Sequence, residues 1–169
     1  DVTSDDGDFT NGLAALFYPD GRRGEYDGGK IALWAWAASR ILDYLQTVPE
    51  IDSRRIYVTG HSRLGKSALW TAARDERFAG VASIQSGCSG AALARGKNGE
   101  TVEKITNVFP YWFAPAYAAF ADREAEMPFD QHDLLALAAP RRLLVTSAAD
   151  DAWADPDGEA LGCAAVAPV

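Results

Sequence analysis

The chain has 169 residues, 48% of them hydrophobic, with 16 Lys and Arg against 24 Asp and Glu for a net charge of −8. That is enough apolar material for the core of one domain or part of one, and the acidic balance argues against a nucleic-acid surface, an anionic membrane surface or a steered polyanionic ligand. No apolar run reaches the roughly 20 residues of a membrane span, and residues 1–20 lack the basic start and apolar run of a signal peptide.

Ile31, Trp34, Ala38, Ile41, Leu42 and Leu45 recur at helical spacing ahead of Pro49, which predicts a helix over 31–45 with Trp34 and Trp36 in the core. "RRIYVTG" (54–60) reads as a short buried strand and "RLGKSALWTAARDE" after it as a helix. "FAGVASIQS" (78–86) is a second strand, and the glycine-rich 87–100 is loop. The aromatic 109–121 is partly helical, and 133–151 holds a short helix, a break at Pro140 and a third strand with Asp150 and Asp151 at its carboxyl end. Strands alternating with helices predict a parallel, doubly wound α/β sheet whose ligands sit at the carboxyl ends of the strands. Cys88 and Cys163 leave a disulfide open, and with no ligand-spaced Cys/His cluster neither a metal site nor a cofactor is expected.

"VTGHSRLGKSALW" (58–70) fits two chemistries. Gly60, Gly65, Lys66 and Ser67 have the spacing of a phosphate-binding loop, while Gly60-His61-Ser62 is a strand running into a sharp turn with serine at its apex, the nucleophile elbow of an esterase. Arg63 and Leu64 would crowd a phosphate cradle, and two alanines separate "LLVTS" from Asp150, where a magnesium-holding acid would be needed. The elbow is the better reading, although Leu64 occupies the place of its usual second glycine and Gly65 follows one step later.

Gly60, Ser62, Arg63, Gly65 and Lys66 as they stand here resemble the signature of the glucuronoyl esterases, carbohydrate esterases acting on the ester between glucuronoxylan and lignin. "WAWAASRILDYLQ", "SGCSGAAL", "GETV", "FPYWF", "PFDQHDLLALAAPRRLLV" and "DDAWADPDGE" resemble further blocks of the bacterial branch, in order from about residue 30 onward. The resemblance implies an α/β-hydrolase with Ser62 as nucleophile, against the simpler role of a helix-capping serine. It implies Arg63 at the oxyanion, Lys66 as donor to the glucuronate hydroxyls, Trp153 packed on the sugar and Glu103 touching the uronate. A solvated arginine, an exposed lysine and a core tryptophan are the plain alternatives. Fungal members carry a glutamate at the position of Gln85, which cannot supply the charge, so the triad acid is expected at Asp151 in preference to Asp150.

The base is harder to find. His61 and His132 are the two histidines of the chain; the first precedes the nucleophile, where the turn should direct it away, and the second comes before the acid, whereas in these hydrolases the histidine follows it. Residues 1–169 are therefore expected to be part of an α/β-hydrolase domain whose catalytic histidine lies beyond Val169, His132 being the alternative, and the 169 residues alone are expected to hydrolyse esters poorly. The resemblance further implies a glucuronoxylan–lignin ester as substrate and an extracellular or periplasmic location. Competing readings are an acetylxylan esterase using the same nucleophile, a non-catalytic carbohydrate-binding relic and, last, a nucleotide-binding module.

Overall fold

Three parallel strands, β1 (Tyr57–His61), β2 (Gly80–Ile84) and β3 (Arg142–Thr146), lie in that order in a computed structural model that describes residues 2–96 and 98–167. Asp1, Lys97, Pro168 and Val169 lie outside the described residues. Tyr57 pairs with Gly80 and Gly80 with Arg142, while His61 pairs with Ile84 and Ile84 with Thr146. The carboxyl ends are therefore level, and they deliver Ser62, Gln85 and Ser147 to one edge of the sheet. Parallel neighbours require crossovers. Helix α3 (Arg63–Arg74) links β1 to β2, and a longer excursion carrying α4 (Val102–Val108) and α5 (Gln131–Ala136) links β2 to β3.

The alternation expected from the sequence is present, with two differences in the helices. Residues 31–45 do form α2 (Lys30–Leu45), but its buried apolar residues are Ile31, Leu33, Ala35, Ala37 and Leu42, while Ile41 is 55% exposed. Trp36 leaves the core as well and stands edge-on to Phe17 with Arg40 over its ring. The helix has neighbours on more than one side: it packs on α3, and its Leu33 joins Phe9 and Ala14, the latter on the short helix α1 (Ala14–Phe17). A single-stripe reading of its periodicity therefore picks the wrong rim. The other difference is α4, unforeseen just after the glycine-rich loop. Thr101 caps it by accepting the Lys104 amide at 3.2 Å.

Ala68, Leu69 and Ala72 of α3 pack on Val81 of β2 and meet Leu135 and Ala138 beyond it, with Val58, Leu143, Val145 and Cys163 at the margin. A second cluster joins Ile31, Cys88, Val102, Ile105, Trp112 and Met127 above the carboxyl ends of the strands. The cysteines belong to different clusters and form no disulfide. Helix α6 (Pro156–Val166) starts on Asp155, whose side chain accepts the Gly158 amide at 3.0 Å. Its fully buried Glu159 accepts from Ser86 Oγ at 3.1 Å and the Gly87 amide at 2.8 Å, and bonds Ser147 Oγ as well. One carboxylate thus ties the end of β2 to the end of β3.

At the amino ends of the strands the Arg77 guanidinium binds the Asp75 carboxylate and holds its pKa down, from the ordinary 3.8 to about 2. A carboxyl whose pKa is lower folded than unfolded stabilises the fold above the unfolded value, and that contribution disappears as pH falls through the folded one. Unfolding free energy is therefore expected to drop by about 1–2 kcal/mol between pH 4 and pH 2, the half-exposed arginine discounting the full linkage value. Asp75→Asn should flatten that part of the stability curve in denaturant titrations at stepped pH.

Candidate active site

The turn after β1 decides which chemistry residues 58–70 can perform. Ser62 has φ 55° and ψ −125°, and α3 begins at the next residue. Non-glycine residues avoid this conformation at a cost of about 1–3 kcal/mol. Local bonds hold it: the Ser62 amide donates to Ile84 O at 2.9 Å, and Ser62 O accepts the Gly65 and Lys66 amides at 2.8 and 3.1 Å. Space is the other requirement. A Cβ on Gly60 would stand 2.1 Å from Leu64 O, and one on Gly65 would stand 3.0 Å from Ser86 Cβ and 3.2 Å from Ser83 Oγ. The elbow's second glycine has moved one position along, where it lets α3 lie against the end of β2.

A phosphate-binding loop is excluded by the same geometry. No loop remains between Gly60 and Lys66, because the helix starts at Arg63; Lys66 Nζ donates to Ser86 O and to Cys88 O, the latter at 2.6 Å, and Ser67 Oγ donates to Ile31 O at 3.3 Å. Nor does Ser62 cap the helix, since its side chain makes no capping hydrogen bond.

Ser62 opens on a cleft of about 250 Å³ at the carboxyl ends of the strands. Arg63, Lys66, Asp151 and Trp153 line it together with Ser62, so five of the six residues singled out from the sequence converge. Asp151 is half-buried and receives the Gln85 side-chain amide at 3.0 Å on Oδ2 and the Ala154 amide at 3.2 Å on Oδ1. Gln85, just past the end of β2, thus serves as donor to the aspartate of the neighbouring loop. Asp150 is exposed and does not border the cleft. Trp153 is 55% exposed at the rim, with Lys104 Nζ 5.5 Å from its ring centre, so it is not a core tryptophan. Lys66 is buried and not an exposed lysine.

Glu103, the sixth, stands apart from the cleft on α4, where its Oε1 accepts the Asn107 side-chain amide at 2.5 Å. Glu100, three residues earlier, borders the cleft. It is buried, its Oε2 lies 4.0 Å from Lys66 Nζ, and its amide donates to Trp153 O at 3.1 Å. It precedes the cap of α4 and belongs to the loop, which passes directly behind Trp153. A carboxylate beside a buried lysine was the signal, and it emerges only once Lys66 is known to be buried.

Of the histidines, His61 borders the cleft, and among the described residues no hydrogen bond joins it to Ser62 or Asp151. His132 lies on α5 outside the cleft, with Nε2 3.5 Å from Asp133 Oδ1. Asp5 also enters the cleft, from the segment that precedes the first helix expected from the sequence. Among the described residues no group of three His, Cys, Asp or Glu side chains could hold a metal ion, and no helix is long and apolar enough to cross a membrane.

Residues 16–169 match the model of a family described as glucuronyl esterase, fungi. The chain is 46% identical over 156 residues to a carbohydrate esterase from an unknown prokaryotic organism, covering 90% of this chain and 36% of that protein. Among solved structures it is similar to a glucuronoyl esterase from Solibacter usitatus, with a TM-score of 0.87 and 47% identity, covering 93% of this chain and 41% of that one. It is also similar to a glucuronoyl esterase from Sporotrichum thermophile solved in complex with methyl 4-O-methyl-beta-D-glucopyranuronate, with a TM-score of 0.73 and 32% identity over 82% of this chain and 40% of that one. The fold is that of an α/β-hydrolase. The chain spans 36–41% of the length of these relatives.

Proposed function

Since the chain belongs to the glucuronoyl esterase family, we propose that the protein carrying it is a serine esterase that cleaves the ester between 4-O-methylglucuronic acid of xylan and a lignin alcohol, outside the cell. The observation that carries the reading is Ser62, held at φ 55° on the elbow beside Arg63, Lys66, Asp151 and Trp153 in one cleft. In this reading Ser62 Oγ bonds to the ester carbonyl carbon, the alcohol leaves with a proton, and water then cleaves the acyl-enzyme to release the uronate. Asp151 orients and stabilises the histidine that accepts the serine proton, and Arg63 faces the oxygen on which charge develops. The base is assigned to a histidine of the natural flanking sequence, because His132 stands outside the cleft and His61 is joined by no hydrogen bond to either partner.

Lys66, Glu100 and Trp153 would hold the sugar. Lys66 Nζ already faces two carbonyls and Glu100, so it supports an array of polar groups in the cleft, with the exposed Trp153 ring as an apolar platform at its rim. A small acetyl group would use none of these three, which is why the acetylxylan reading is the weaker one.

The test is steady-state kinetics of the protein with its natural flanks on benzyl glucuronate and on p-nitrophenyl acetate. Ser62→Ala should remove turnover of both, and Trp153→Ala should lower kcat/KM for the glucuronate about tenfold or more while leaving the acetate within about twofold. Equal losses on both substrates would overturn the glucuronate assignment, and sugar binding without Ser62 labelling by a phosphonate would favour a non-catalytic binding module.

A further inference from the structure

Residues 2–13 contain no helix or strand, yet they are firmly held. Lys30, with no exposed surface, donates to Thr3 Oγ1 at 2.9 Å and to Asp8 O at 2.6 Å, and its ammonium lies 4.7 Å from the centre of the Phe9 ring. The Leu13 amide donates to Val2 O at 2.7 Å and closes the segment into a loop. Burying an ammonium is costly unless its donors find partners. The loop supplies them, and in wrapping Lys30 it carries the residues between Thr3 and Asp8 toward the cleft.

Asp5 is the one that arrives. Its Oδ1 accepts the Trp112 indole N–H at 2.6 Å, its carbonyl accepts the Tyr111 hydroxyl at 3.2 Å, and its Oδ2 lies 2.7 Å from Arg63 Nε. The residues matched by the family model begin at residue 16, so this contact comes from outside that match. Arg63 is the first residue of α3, 44% exposed, and Asp5 is its ion-pair partner.

We propose that Asp5 is a positioning residue for Arg63, fixing the guanidinium where the oxyanion forms; the inference rests on the esterase reading above. An arginine at a helix start has many rotamers and a hydration shell, and a donor that must be ordered during the reaction stabilises the transition state less than one already in place. Asp5 is itself fixed by Trp112, a buried ring stacked 3.8 Å from Phe109 in the core above the strands. Orientation is thus transmitted from the core through Trp112 and Asp5 to Arg63. The carboxylate also offsets part of the guanidinium charge, so its removal has two opposing effects. Orientation dominates, because a half-exposed guanidinium released into water keeps its charge but loses its place, and the charge of a mobile group is screened.

The test uses Asp5→Asn, which keeps an oxygen for the Trp112 indole and removes the charge that holds Arg63. In the protein with its natural flanks we expect the rate of Ser62 phosphonylation by a fluorophosphonate, and kcat on benzyl glucuronate, to fall about tenfold with KM nearly unchanged. In an Arg63→Ala background the same substitution should have no further effect, a non-additivity that a purely structural role would not produce. Asp5→Ala, which also loses the Trp112 bond, should show the same coupling with a larger loss. Equal factors with and without Arg63, no change, or a faster reaction would overturn the role of Asp5. Labelling that survives Ser62→Ala would instead remove the esterase reading, so the two failures are distinct.

Discussion

Replacing Asp151 by asparagine is expected to lower kcat by about four orders of magnitude while the protein stays folded, and replacing Asp150 should leave kcat within about twofold. The two acids are neighbours in the chain and opposite in setting: Asp151 borders the cleft and Asp150 is exposed. Asp151 is held by the Gln85 side-chain amide and by the Ala154 amide, one on each oxygen. An asparagine has one oxygen for these two donors and must turn its own amide group toward the other, so it loses both the charge and the setting. The charge matters most, because an imidazolium that forms as serine gives up its proton is stabilised by a carboxylate and not by a carboxamide. Steady-state kinetics on a glucuronate ester, with circular dichroism to verify folding, would check it. Equal losses at positions 150 and 151 would show that the loop matters and the particular carboxylate does not. Gln85 meets Asp151 as a donor, its side-chain amide reaching Oδ2 at 3.0 Å.

The second large effect is expected at Gly60. Alanine there would place Cβ 2.1 Å from Leu64 O and 2.3 Å from Leu64 C, both backbone atoms in the first turn of α3. Backbone cannot yield as a side-chain end can, so the helix must move off the strand, and the turn that holds Ser62 at φ 55° must move with it. Gly60→Ala should therefore destabilise the fold by about 3–5 kcal/mol and reduce Ser62-dependent turnover by more than a hundredfold in any folded fraction. Gly65→Ala meets contacts of 3.0–3.2 Å, two of them side-chain atoms of small serines, and should cost only about 1 kcal/mol. Urea titration of both variants measures the difference; a Gly60→Ala protein with an unchanged midpoint would contradict the steric argument.

The strand, turn and helix around Ser62 were readable because their determinants lie within a few residues of one another. A strand that ends in Gly60, a serine two positions on and an amphipathic helix immediately after leave little freedom for the turn between them. Alternation of strands and helices likewise follows from local patterning, and it predicted a parallel sheet with the site at its carboxyl edge. What the sequence could not supply was the choice among chemically equivalent candidates. Glu100 and Glu103 are three positions apart, and only the passage of the 98–101 loop behind Trp153 puts the former beside Lys66. Asp150 and Asp151 differ by one position; the family resemblance favoured Asp151, and what the structure adds is that Asp151 borders the cleft and meets Gln85, 66 residues away. Trp36 has a core composition and a surface position because α2 is covered on more than one side. Asp5 stood in a stretch without periodicity, yet Lys30 folds that stretch over the cleft and joins Asp5 to Arg63 and Trp112. In each case the local backbone fixes where a side chain begins, and packing between distant segments fixes what it meets, because burial and ion pairing depend on distances in space that chain spacing does not encode.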